Sequence, residues 1–285
     1  MEQFKLKNSI PILVWLAIYP ALLYYAIMYI LSTLCAFFAR NILNVELTES
    51  VKAVVLLISS VATIPFMFSV YANDRNAGLG IGGYLREHKP SVSKQKIKTA
   101  LFAAVIVIVM GFALNNLIGM TPLIRWSEGY RNANANLYSG SLAVILMRSA
   151  FFVPILEELT FRGIVQFRMS VRLHRIWAIL IAALLFAVMH MNVVQSTYAF
   201  FLGIVLGIIC DHVGHIYPAV IGHMAVNAVT VLRVQFQWLP SLSDGSVSAW
   251  LISLGILCFG IAMLLLFVKI PTDSNQNQIH SEQTH

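Results

Sequence analysis

The sequence predicts an all-α polytopic membrane protein, on three observations. Of its 285 residues, 59% are hydrophobic and only 11% charged, and the mean hydropathy is +0.78. An ordinary soluble domain carries roughly 25% charge, so these few charges could not cover a water-facing surface. Eight apolar stretches are long enough for membrane helices, counting about 20 residues for a core of ~30 Å. Strict two-residue alternation is absent, which disfavours an outer-membrane barrel.

In chain order, the first stretch runs over 9–39. It is too long for a signal-peptide core and shows no convincing cleavage site, so it is expected to remain, tilted or kinked at Pro20. The others cover 53–72, 99–118, 139–161, 176–195, a short 196–210, 216–232 and 250–268. The tail 271–285 is polar, without apolar periodicity, and expected to be disordered. This organises the chain into N-terminal helices of unassigned role (1–138), a core (139–235), a final helix (236–270) and the tail (271–285).

Nineteen Lys and Arg against twelve Asp and Glu give a formal charge of +7. In a membrane protein such an excess marks cytoplasmic loops rather than nucleic-acid binding. Arg75, Arg86, Lys89, Lys94, Lys96 and Lys98 fall between the second and third stretches, and Arg168, Arg172 and Arg175 between the fourth and fifth. The alternate loops hold Arg40, Arg125, Arg131 and Arg233. Both termini, with Lys5, Lys7 and Lys269, are therefore expected in the cytoplasm, in the plasma membrane of a bacterium.

Several features read as architecture. Cys35, Cys210 and Cys258 lie in or beside apolar runs without paired spacing, as packing residues. Gly78 to Gly83 form a G-x-G-x-x-G with no preceding strand and no βαβ pattern, so a flexible interfacial turn is expected. Gly203 and Gly207 form G-x-x-x-G, a pattern of close helix packing. Asp211, His212 and His215 are expected in a solvated loop.

Ionisable groups within the apolar stretches carry the chemistry, because each costs a few kcal/mol or more unless paired or placed in a wet cavity. Glu157, Glu158 and Arg162 close the fourth stretch, His190 lies in the fifth, and His223 lies in the seventh with Asn227 four positions on. Residues four apart share a helix face, so Glu158 and Arg162 should neutralise each other, while Glu157 points elsewhere. A carboxylate without a local counter-ion is a candidate general acid or base. Arg148, nine positions before Glu157, would stand ~180° away around an α-helix and reads as a packing or snorkelling charge. His190 shares a face with Phe186 and His223 with Asn227, so polar groups from three helices could converge on Glu157.

At these positions the chain resembles the CPBP family of intramembrane proteases, which includes the Ras-converting type of CAAX endopeptidase and bacterial lysostaphin-resistance-protein-like members. The family's E-E-x-x-x-R stands at Glu157 to Arg162, its F-x-x-x-H at Phe186 to His190 and its H-x-x-x-N at His223 to Asn227. The resemblance implies a glutamate-dependent endopeptidase acting on a membrane-associated peptide or protein, with no cofactor. Glu157 and His190 would activate water, His223 and Asn227 would hold the oxyanion, and Glu158, Arg162 and Phe186 would support the site. The same residues could hold zinc, with two histidines, a glutamate and water as ligands. Against this, the sequence has no H-E-x-x-H, and an asparagine suits hydrogen-bond donation better than ligation. A non-catalytic scaffold or bacteriocin-immunity protein is the alternative outside enzymes. A proton-coupled transporter is disfavoured because no two related halves carry matching broken helices. Measured from the basic loops, His223 and Glu157 lie at similar depth and His190 deeper, and the site is expected to open to the cytoplasm.

Overall fold

The computed structural model describes residues 10–76, 94–138 and 140–270. The Gly78 to Gly83 turn, Arg86, Lys89, Lys5, Lys7 and the tail 271–285 lie outside the described residues. The described chain is helical: α1 (Ile10–Asn41), α2 (Glu49–Asn76), α3 (Lys94–Gly119), the short α4 (Leu123–Trp126) and α5 (Glu128–Leu137), α6 (142–170), α7 (Arg175–Val188), α8 (Val193–Val213), α9 (Tyr217–Phe236) and α10 (Val247–Phe267). Among the described residues there is no β-strand.

The protein is an integral membrane protein. Six helices, α1, α2, α3, α8, α9 and α10, are long and apolar enough to cross a bilayer. Their outer faces expose residues such as Leu22, Leu34, Phe66, Leu251 and Phe259, the pattern expected where lipid is the solvent. Six is fewer than the eight expected crossings, and the two other stretches take different forms. First, α6 is one run of alternating α and π turns, with π-helix over Leu146–Phe152 and Glu158–Gln166. Second, α7 has only 14 residues, about 21 Å at 1.5 Å per residue, short of a ~30 Å core. The boundary placed at 195/196 falls instead at a turn, since Asn192 caps α8 by accepting from the Gln195 amide at 2.9 Å. His190 therefore sits in a turn rather than inside a helix.

Packing ties the N-terminal helices into the same body. α3 lies along α9 and α10, α7 along α8, and α1 along α2, and both α1 and α2 press on the second π segment of α6. The main core joins Tyr24, Met67, Ile106, Leu156, Leu206 and Val226 from six helices. Arg168 is corrected from a loop charge: it is 5% exposed and forms a bidentate pair with Asp74 at 2.7 and 2.9 Å, its guanidinium 4.6 Å from the Tyr19 ring centroid. That pair fastens α2 to the end of α6. Asp211 and His212 likewise belong to the last turn of α8, with the His212 ring against Phe267. The three cysteines are free, Cys210 in the core and Cys258 exposed.

The Gly203 and Gly207 pair does bring helices close. A Cβ on Gly203 would lie 3.1 Å from the Ala183 Cβ and 3.3 Å from Arg162 Nη2; one on Gly207 would lie 2.8 Å from Ile179 and 3.0 Å from Gln166 Oε1. This closeness lets the Gly203 and Gly207 carbonyls accept from Arg162 and Gln166 at 3.2 and 3.0 Å. Gly203→Val should therefore push α8 off α6 and α7, at about 1–3 kcal/mol for overpacking plus the lost Arg162 hydrogen bond. A lower Tm in detergent, with Gly255→Val as the control where nothing lies within 4 Å, checks it.

Candidate active site

The site is built around the middle of α6, where adjacent glutamates must face different neighbours. Glu158 is fully buried, and its Oε1 accepts from Arg162 Nη1 at 2.8 Å, as the four-residue spacing predicts. The same oxygen lies 2.8 Å from His223 Nδ1. A carboxylate bonded there holds the proton on Nδ1 and leaves Nε2 as the ring nitrogen available to other groups. That Nε2 stands 3.7 Å from Glu157 Oε2, within ion-pair range but too long for a hydrogen bond. The row Arg162, Glu158, His223, Glu157 thus runs across α6 and α9. Glu158 and Arg162 pair with each other as their spacing predicts, and the pair meets His223 at Nδ1.

Phe186 supports the site from α7. Its ring is 1% exposed and meets His190 edge-on at 4.9 Å, His223 at 5.7 Å and Phe161 at 5.2 Å between centroids. The Arg162 guanidinium lies 4.7 Å from its centroid, so the ring both screens the buried cation and walls in the imidazoles.

His190 follows the end of α7, its Nδ1 2.9 Å from the Phe186 carbonyl oxygen, which leaves Nε2 for the site. Its turn is held at three carbonyls: Ser196 Oγ donates to Ala187, the Tyr25 hydroxyl to Met189 and Asn192 Nδ2 to His190 itself. Met191 takes a left-handed φ of 56° within that turn, a conformation that costs a non-glycine residue about 1 kcal/mol and needs such support.

Glu157 and His190 line one pocket of about 420 Å³ with Tyr24, Tyr25, Leu56, Arg148, Phe161, Phe186, Met189 and Gln195. Asn227 is the member that stands apart. It lines a second cavity, of about 550 Å³, which shares His190 and Gln195 with the first. Its Nδ2 donates to the Ser149 carbonyl at 2.9 Å, pinning α9 to the first π segment of α6 and leaving one amide N–H for other use.

Arg148 is the residue the spacing argument misplaced. It is 9% exposed and lines the Glu157 pocket. An i→i+5 turn takes about one residue more than an α turn, so a π segment between two positions sets the separation back by ~100° from the ~180° of a regular helix. Tyr24, Tyr25 and Leu56 escaped sequence reading because an aromatic or leucine in an apolar helix carries no signal of its own.

The larger cavity lies at the end away from the basic one toward which the site was expected to open. The larger cavity is walled by Gly119, Ile124, Tyr130, Tyr138, Trp238 and Ser243, which belong to the helix ends opposite Arg168 and Arg175. Because α6 continues to Ser170, Glu157 stands 13 residues from that end, about 20 Å by helical rise. His190, beyond a 14-residue α7, lies at about the same depth. Glu157 and His190 are thus about level with each other, nearer the far face.

No curated protein and no solved structure matches the chain. Residues 139–229 match the family model of the Rce1-like type II CAAX prenyl endopeptidases. All three motifs lie within that match, so it is this segment of the chain that is similar to the Rce1-like endopeptidases.

Proposed function

We propose that the protein is an intramembrane endopeptidase in which Glu157 and His190 activate a water molecule against a peptide bond of a membrane-associated substrate. The observation that carries this reading is the shared pocket of Glu157 and His190, beside a His223 oriented by the buried Glu158–Arg162 pair. Glu157 takes a proton as the water oxygen bonds to the carbonyl carbon. The tetrahedral species then expels the amine, and the proton passes from Glu157 to its nitrogen. The second N–H of Asn227, and His223 Nε2 when that ring is the doubly protonated imidazolium, are the donors offered to the oxyanion by those two residues. Tyr24, Tyr25 and Leu56 bring α1 and α2 into the pocket wall, so the N-terminal helices serve the site as well as the fold.

The chemistry is read as independent of metal. Among the described residues no three His, Cys, Asp or Glu side chains are gathered as ligands for one ion, which supports this reading. In purified protein cleaving a quenched-fluorescence peptide, His190→Ala should lower kcat by about 10²–10⁴-fold. Prolonged 1,10-phenanthroline should leave the wild-type rate unchanged. Loss of activity together with stoichiometric zinc, restored by added zinc, replaces this reading with a metalloprotease.

The charge pattern supports both termini in the cytoplasm, in what we take to be a bacterial plasma membrane from the family resemblance, and the larger cavity then faces outward. Single cysteines at Ser170 and Ser243, in a background lacking Cys35, Cys210 and Cys258, check this with a membrane-impermeant maleimide on intact cells. Ser243→Cys should be labelled from outside and Ser170→Cys only after lysis. The reverse pattern puts the cavity on the cytoplasmic side.

A further inference from the structure

We propose that Arg148 is a further catalytic residue, its guanidinium binding the carbonyl oxygen of the scissile bond as that oxygen becomes an oxyanion. The inference rests on the endopeptidase reading above and lies outside the three motifs.

Three observations carry it. Arg148 is 9% exposed, so its head is not in water or among lipid headgroups, yet it lines the same pocket as Glu157 and His190. An arginine at membrane depth costs a few kcal/mol or more in isolation, and one that lines a cavity together with a carboxylate and an imidazole is a functional-site candidate by default. The Leu146–Phe152 segment that presents it is π-helical, a turn type concentrated at functional sites. The π segment is also held in place, since Ser149, the next residue, donates Oγ to the Ile145 carbonyl at 2.6 Å and accepts at its own carbonyl from Asn227. The last motif residue thereby fixes the backbone that presents Arg148.

The donors first expected to serve the oxyanion are partly committed. His223 Nδ1 faces Glu158, and one Asn227 N–H goes to Ser149. A guanidinium supplies fixed charge and forked N–H donors on a planar frame, without needing a proton of its own to move. When the water oxygen adds to the carbonyl carbon, the π pair moves onto the carbonyl oxygen and the Arg148 N–H groups take up that charge. Glu157 meanwhile holds the water proton, which it returns to the departing amine as the C–N bond breaks.

The test uses full-length protein in nanodiscs. With an apolar quenched-fluorescence peptide, Arg148→Gln should lower kcat by about 10²–10³-fold, the loss typical for one oxyanion donor, with KM little changed. Arg148→Lys should keep part of the rate, and methylguanidinium should restore part of it to Arg148→Ala. A packing role would lower Tm and yield with no rescue. A second arm needs no turnover: methylphosphonate, a small tetrahedral oxyanion, should raise the Tm of Glu157→Gln and not that of Glu157→Gln/Arg148→Gln. Wild-type kcat in Arg148→Gln while Glu157→Gln is inactive overturns this inference alone, as does an equal or absent methylphosphonate shift in the two backgrounds. Equal cleavage by wild type and Glu157→Gln instead overturns the endopeptidase reading.

Discussion

Glu157→Gln should abolish peptide hydrolysis while leaving the fold intact. The amide keeps the volume and planarity of the carboxylate, and the side chain is 13% exposed at the pocket wall rather than locked in the core. What disappears is the ability to accept the water proton, worth about 10²–10⁴-fold for a general base. Removing a charge from a low-dielectric setting does not destabilise by itself, so the Tm of Glu157→Gln should match or exceed that of wild type. The measurement is turnover of a fluorogenic peptide beside a detergent melting curve. Equal rates for the two proteins would remove Glu157 from the mechanism and favour a scaffold whose motifs serve architecture. A lower Tm with lost activity would make Glu157 a structural residue first.

Arg162→Ala should act on the fold, and for a different reason. Glu158 and Arg162 are both 0% exposed and bonded at 2.8 Å, so deletion of the guanidinium leaves a carboxylate in the interior with His223 as its remaining partner. Breaking such a buried pair costs about 3–5 kcal/mol, and the variant also loses the hydrogen bond to the Gly203 carbonyl and the contact with Phe186. A fall in Tm on the order of 10 °C, with reduced yield, is expected. The double variant Glu158→Leu/Arg162→Met separates the two roles of the pair. It removes both charges at similar volume and should recover much of the stability, as apolar replacements of buried pairs often do. It should remain nearly inactive, because His223 Nδ1 then has no carboxylate to hold it. Recovery of activity along with stability would show that orientation of His223 by Glu158 has no catalytic weight.

Local chemistry was legible in the sequence wherever it depended on positions within one helix. The apolar runs specify membrane helices because a lipid solvent forces the backbone to satisfy its own hydrogen bonds, and helices do so within a single segment. The four-residue spacing of Glu158 and Arg162 gave their pairing, and that of Phe186 and His190 gave their contact, since α geometry repeats over that distance whatever the surroundings. Gly203 and Gly207 announced close packing for the same reason, a missing side chain on one face.

What required the tertiary structure were relations set by a change of helical pitch or by chain-distant contact. No residue type in 142–170 signals the two π segments, so a regular lattice sent Arg148 to the wrong side of α6. The end of α7 was hidden because an apolar stretch reads continuously through a turn whose stop signal, the Asn192 cap, resembles any polar residue in a span. Arg168 looked like a loop charge until Asp74, 94 residues away, was brought beside it. The His223 to Glu158 bond spans 65 residues and the Tyr25 to Met189 bond 164. Such contacts are chosen by the summed packing of all the helices. The sequence by itself therefore determined the membrane-helical class and the candidate ionisable residues, while the packed structure alone decided which of those residues share a pocket.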